Sequence, residues 1–179
     1  STREDARRLV ERVRKEVKRL LKKNSDLLRE VTERVKTLNE RNRRLLEEVE
    51  REAKRLKDSD ERDVERLLDR ARKLVKESED LIRKLLKDLR ELVRRSEKDI
   101  DELRKELKRL LDELRARATD KRDHMVLHEY VNAAGITIRE LEENVKTSEK
   151  LIEDLIRELE KSVDESRKRV EELVKELRT

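Results

Sequence analysis

The sequence predicts an all-α fold: a single-chain antiparallel bundle of three long, nearly untwisted helices. Three observations carry this. Charged residues make up 54% of the chain and apolar ones 33%, with no Pro and one Gly. Ordinary globular domains have about 25% charged and 45–50% apolar residues, so one broad core is excluded and narrow apolar seams on long helices are favoured. The apolar residues recur at an eighteen-residue spacing. Finally, two near-identical polar segments, Ser59-Asp60-Glu61-Arg62-Asp63 and Thr119-Asp120-Lys121-Arg122-Asp123, stand sixty residues apart.

Ser, Thr and Asp cap helix N-termini, and acidic side chains suit a first turn. The two segments therefore divide a single domain, residues 1–179, into helix 1 (about 2–57), helix 2 (about 60–117) and helix 3 (about 120–178). Helices of this kind run about 85 Å at 1.5 Å per residue. Short connections make neighbours antiparallel; with no Gly or Pro at the junctions, one of them running on as continuous helix is the alternative.

In helix 1 the rows are Val10/Leu28/Leu46, Val13/Val31/Val49 and Leu20/Leu38/Leu56. Helix 2 has Leu67/Leu85/Leu103, Ala71/Leu89/Leu107 and Leu74/Leu92/Leu110, and helix 3 has Ile138/Ile156/Val174 and Leu141/Leu159/Leu177. Eighteen residues are five turns at about 3.6 per turn, so the seam stays on one face of a straight helix, whereas a seven-residue period would force a supercoil. Such regularity resembles that of parametrically designed helical bundles. Paired leucines such as Leu27/Leu28, Leu45/Leu46, Leu85/Leu86 and Leu110/Leu111 widen the seams enough to face more than two neighbours. A monomer is expected, with a larger oligomer as the alternative.

Polar residues interrupt the seams on the same period. Asn24 and Asn42, Ser78 and Ser96, Asn144 and Ser162, and Ser148 and Ser166 are each eighteen apart. A buried polar group left unpaired costs about 1–3 kcal/mol. These residues are expected to form interhelical hydrogen-bond layers that set register, with the seam edge in water as the alternative.

Several function classes are excluded. There is no Cys, hence no disulfide, thiolate nucleophile or Cys-ligated zinc. No run of about 18 apolar residues marks a membrane span, and no signal peptide is evident. The start at Ser1-Thr2 fits a processed, soluble recombinant chain made in the cytoplasm. Net charge is +7 over residues 1–58, +2 over 59–119 and −4 over 120–179. The basic first helix and acidic third are expected to pair. Signs are interspersed and Tyr130 is the one aromatic, which argues against specific nucleic-acid binding.

One segment departs from this vocabulary. The only Gly, Met and Tyr and both His fall within residues 124–135. The run is Arg122, Asp123, His124, Met125, Val126, Leu127, His128, Glu129, Tyr130, Val131, Asn132, Ala133, Ala134, Gly135, Ile136 and Thr137. Four of these are β-branched and Gly135 costs about 1 kcal/mol in a helix, so Met125–Val131 alone would read as a strand. Projecting the seams of helix 3 back by eighteen nevertheless places Val126, Leu127, Tyr130, Ala134 and Thr137 inward and Met125, Val131 and Ile136 outward. The segment is expected to be held as helix.

Residues 122–137 resemble the eleventh β-strand of green fluorescent protein, in the form used as a split-fluorescent-protein tag. The resemblance implies a partner, a separate ten-strand fragment whose barrel this strand completes by main-chain pairing. It implies that Glu129 faces the chromophore. The chromophore-forming residues have no counterpart here, so the chain alone should be dark. With the bundle around it, the segment looks like the caged element of designed latch–cage–key switches, in which a key helix displaces a latch. The alternative is a designed scaffold or helix-binding module that carries the tag as a detection handle. His124 and His128 are spaced i, i+4, and His128-Glu129 opens an H-E-x-x-H zinc pattern, but Asn132 stands where its second His belongs. The resemblance accounts for both histidines without a metal. No cofactor, metal or catalytic group is expected.

Overall fold

The computed structural model describes residues 2–56 and 60–178. They form three α-helices: α1 (Thr2–Arg55), α2 (Glu61–Arg117) and α3 (Lys121–Arg178). Among the described residues there is no strand, and no helix is long and apolar enough to cross a membrane. Lys57, the expected end of the first helix, and Ser59 of the first capping segment lie outside the described residues.

Asp caps the start of both α2 and α3. The Asp60 carbonyl accepts from Asp63 N (3.0 Å) and Val64 N (3.3 Å), and its Oδ1 accepts from Arg62 N at 3.4 Å. Asp120 repeats this more tightly, its Oδ1 accepting from Asp123 N at 2.7 Å and its carbonyl from His124 N at 3.3 Å. Side-chain oxygens thereby satisfy amides that a first turn leaves without partners. The connection at 118–120 breaks the helix, so α2 and α3 do not run on as one.

Residue contacts group into two compact units, 1–28 with 90–150 and 29–89 with 151–179. Each takes a stretch of all three helices. In the first unit, ion pairs link Asp5 to Arg117, Arg12 to Glu106 and Lys23 to Asp99. Numbers rise along α1 as they fall along α2, so the two are antiparallel. Its core joins Ala6, Leu9, Val10, Val13, Val17 and Leu20 of α1 to Ile100, Leu103 and Leu114 of α2 and to Leu127, Ala134, Ile138, Leu141 and Val145 of α3.

In the second unit Arg34–Asp88, Arg41–Glu77 and Glu48–Arg70 show the same antiparallel order. Asn42 meets Ser162 and Ser166, and Glu50 meets Arg169, so here α1 and α3 run in the same direction. A core cluster contains Val49, Ala53, Leu67, Ala71, Val170 and Leu173. The Glu50–Arg169 pair sets an acid of the basic helix against a base of the acidic one. Local register, rather than the net charge of a helix, decides which groups meet.

Burial follows the eighteen-residue rows. Leu67, Leu85 and Leu103 are all buried, as are Ile138 and Ile156, and Leu141 and Leu159. The middle of α1 is looser: Leu28, Val31, Leu38 and Leu46 are half-buried. These positions lie near the paired leucines, where a wider seam leaves one edge towards solvent.

A strand-like segment held as helix

Residues 122–137 are helical throughout, within an uninterrupted α3. Their intrinsic preferences oppose this. Val126, Val131, Ile136 and Thr137 each cost roughly 0.5 kcal/mol against Ala, and Gly135 about 1 kcal/mol. Tertiary contacts decide the outcome. Leu127 is 2% exposed and Ala134 0% exposed, and both belong to the first unit's core with Ile138 and Leu141. Full burial of one leucine-sized side chain contributes about 1.5–3 kcal/mol. Tyr130 is half-buried and packs against the same cluster. The positions 127, 130, 134, 138 and 141 follow the helical i, i+3, i+7 pattern, which a strand's two-residue alternation would scatter over both faces.

The outer face carries the remainder. Met125 is 62% and Ile136 53% exposed. Arg122, His124, His128, Glu129 and Asn132 are exposed, while Asp123, Val126, Val131, Ala133, Gly135 and Thr137 are half-buried. Val131 thus sits at the seam edge and not fully outside. Thr137 Oγ1 donates to the Ala133 carbonyl at 3.0 Å, giving a potentially unsatisfied hydroxyl a partner on its own helix. Gly135 has no positive φ, so its backbone does not require glycine.

The polar seam residues divide into distinct groups. Asn42 is 5% exposed, and its Nδ2 lies 3.2 Å from Ser162 Oγ and 2.9 Å from Ser166 Oγ, donating to each. Ser166 Oγ donates in turn to the Ser162 carbonyl at 3.0 Å. This is an interhelical layer between α1 and α3. Ser96 Oγ donates to Asn24 Oδ1 at 3.4 Å, a longer contact between half-buried groups. Ser78 Oγ donates to the Leu74 carbonyl of its own helix at 3.0 Å. It joins no layer through this bond, because a serine in a helix can satisfy itself one turn back. Ser148 is half-buried. Asn144 is exposed, which takes it out of the layers: neighbouring Val145 fills the inward position.

Sequence periodicity alone did not say which polar groups would meet. A signal for one pair was nevertheless present, since Asn42 and Ser162 are separated by twice the sixty-residue unit, the offset expected of equivalent levels on α1 and α3. The cross-helix ion pairs, such as Arg104–Glu142 and Arg178–Glu65, had no such signal in a uniformly charged background.

Chemistry beyond packing is sparse. Among the described residues no group of three or more His, Cys, Asp or Glu is arranged to hold a metal ion. The surface clefts are open grooves between helices. One has Ile100 and Val145 as its floor and Arg104, Glu142, Lys146 and Glu149 along its sides. Several carboxylates on the helix faces pair with bases, as Glu142 does with Arg104 and Asp101 with Lys105. Arg117 hydrogen-bonds Asp5 and holds its carboxyl below the ordinary Asp value. Arg19 does the same to Glu16, and Lys168 with Arg167 to Asp164.

The chain is similar to a solved structure described as a "Computationally designed three helix bundle", at 24% sequence identity and a TM-score of 0.55, over 98% of this chain and 90% of that one. That likeness shows the fold. No protein-family model and no curated protein matches the chain.

Proposed function

We propose that the chain is a designed helical scaffold that cages the split-fluorescent-protein-like segment 122–137, withholding it from a ten-strand fragment until α3 opens. The observation that carries the reading is the conflict at this segment. Strand-favouring residues are held as helix by Leu127 and Ala134 in the core, with Tyr130 packed against it. Barrel completion needs an extended backbone with free N–H and C=O groups, and the helix uses those groups internally. A closed population of 99% would reduce apparent affinity about a hundredfold. A key helix that competes for the seam of α3 is the opener of choice.

A second reading has its own support. The likeness to a designed three-helix bundle extends over 98% of this chain, as a plain scaffold with the segment as a detection handle would give. One mixing experiment separates the two. The chain and the free 122–137 peptide, at equal concentration, are each added to the ten-strand fragment and fluorescence is followed. Caging expects the chain to complement far more slowly than the peptide, with recovery when the bundle is loosened. Equal rates and yields would establish the handle. Light scattering on the same sample tests the expected monomer.

A further inference from the structure

The geometry points to a two-histidine site on α3, formed by His124 and His128, that takes a late first-row transition ion and exists only while the segment is helical. Both side chains are exposed, and four residues apart on a helix they share one face with Cβ atoms about 5–6 Å apart. Two imidazole nitrogens bind one ion at about 2.0–2.1 Å each, and this row is the one from which helical zinc motifs draw their two histidines. Asn132 continues the row one turn on, and Asp120 stands before the first residue of α3 as its cap. The two histidines are the protein ligands, and water completes the coordination.

The surroundings select the type of ion. The positive end of the α3 dipole and exposed Lys121 and Arg122 oppose any cation held by charge alone. Binding must come from nitrogen coordination, which favours Ni²⁺, Cu²⁺ and Zn²⁺ over Mg²⁺ and Ca²⁺.

The site is also specific to one conformation. In a strand, four residues span about 13 Å, too far for two imidazoles to share an ion. The metal therefore binds the helical state and not the extended one, and it must shift the equilibrium towards helix. At a free ion concentration ten times Kd the helical-to-extended ratio rises about elevenfold. Metal becomes a second input that tightens the closed form. The site rests on helical α3 and not on the fluorescent-fragment reading; only its effect on complementation depends on that reading.

The test titrates the intact chain with Ni²⁺ by calorimetry and follows amide exchange between His128 and Thr137. One ion per chain is expected, with exchange slowed about tenfold at ten times Kd and no response to Mg²⁺. His124→Ala should weaken binding at least tenfold. A variant that exchanges the residues at 128 and 129 (His128→Glu with Glu129→His) keeps both histidines but sets them five apart, and should weaken it as much. These positions are exposed, so the variants should fold. Equal Ni²⁺ affinity in the exchanged variant, or binding without slower amide exchange, overturns the proposal. Slower exchange with complementation unchanged upholds the metal site and counts against caging alone.

Discussion

Replacing Gly135 by Ala should stabilise the protein. Gly135 lies within α3, without a positive φ. A Cβ built there meets Arg139 Nη2 at 3.7 Å, an ordinary van der Waals contact with the end of a flexible side chain. Alanine exceeds glycine in a helix interior by about 0.8–1.0 kcal/mol, chiefly because glycine loses more backbone freedom on folding. The position is half-buried, so the added methyl gains a few tenths more. A net gain of about 1 kcal/mol follows, a factor of about five in the folded-to-unfolded ratio. In a chain of this size that corresponds to roughly 2–4 °C in Tm. Guanidinium unfolding followed by far-UV circular dichroism reads it as a higher midpoint at unchanged slope. Amide exchange around residues 131–139 should slow by the same factor. An unchanged or lowered midpoint in the alanine variant would refute the reasoning, since it would mean that residue 135 is not in a regular helix in solution. On the caging reading, the same variant also complements the ten-strand fragment about fivefold less readily.

Leu127→Ala removes a side chain that is 2% exposed and should cost about 2–5 kcal/mol, measured as a lower denaturation midpoint. Met125→Lys and Ile136→Glu, on side chains 62% and 53% exposed, should each stay within about 0.5 kcal/mol of the parent; a larger loss would show that this face is covered. Asn42→Ala should destabilise by about 1–3 kcal/mol, because Ser162 and Ser166 lose their shared donor. Asn42→Leu combined with Ser162→Ala and Ser166→Ala should recover that loss, as apolar replacement of a whole buried polar layer often does. The carboxyls of Asp5, Glu16 and Asp164 are held below their ordinary values. Their contribution is therefore complete at neutral pH and disappears as the pH falls below the unfolded values of 3.8 for Asp and 4.5 for Glu. In thermal melts the variant Asp5→Asn/Glu16→Gln/Asp164→Asn should lose less on acidification than the parent. The difference is small, because exposed ion pairs contribute little.

Much of the fold was legible because it depends on pattern. The eighteen-residue rows place Leu67, Leu85, Leu103, Ile138 and Ile156 in the core without reference to any neighbour. The Asp60 and Asp120 caps follow from local chemistry. The same projection identified Leu127 and Ala134 as inward and Met125 and Ile136 as outward. It was less successful with polar groups. Ser78 bonds within its own helix and Asn144 faces solvent, whereas Asn42 bonds across to α3. A short polar side chain has several local ways to be satisfied, and period alone cannot choose among them.

Residues 122–137 separate the two levels of determination most sharply. By itself the sequence determined that this segment is foreign to its background, prefers an extended backbone and lies in register with the seam of the third helix. Only the tertiary structure decided its conformation. Local preference is worth tenths of a kcal/mol per residue, whereas burial of Leu127 against α1 and α2 is worth one to a few. That burial exists only when three helices are brought together.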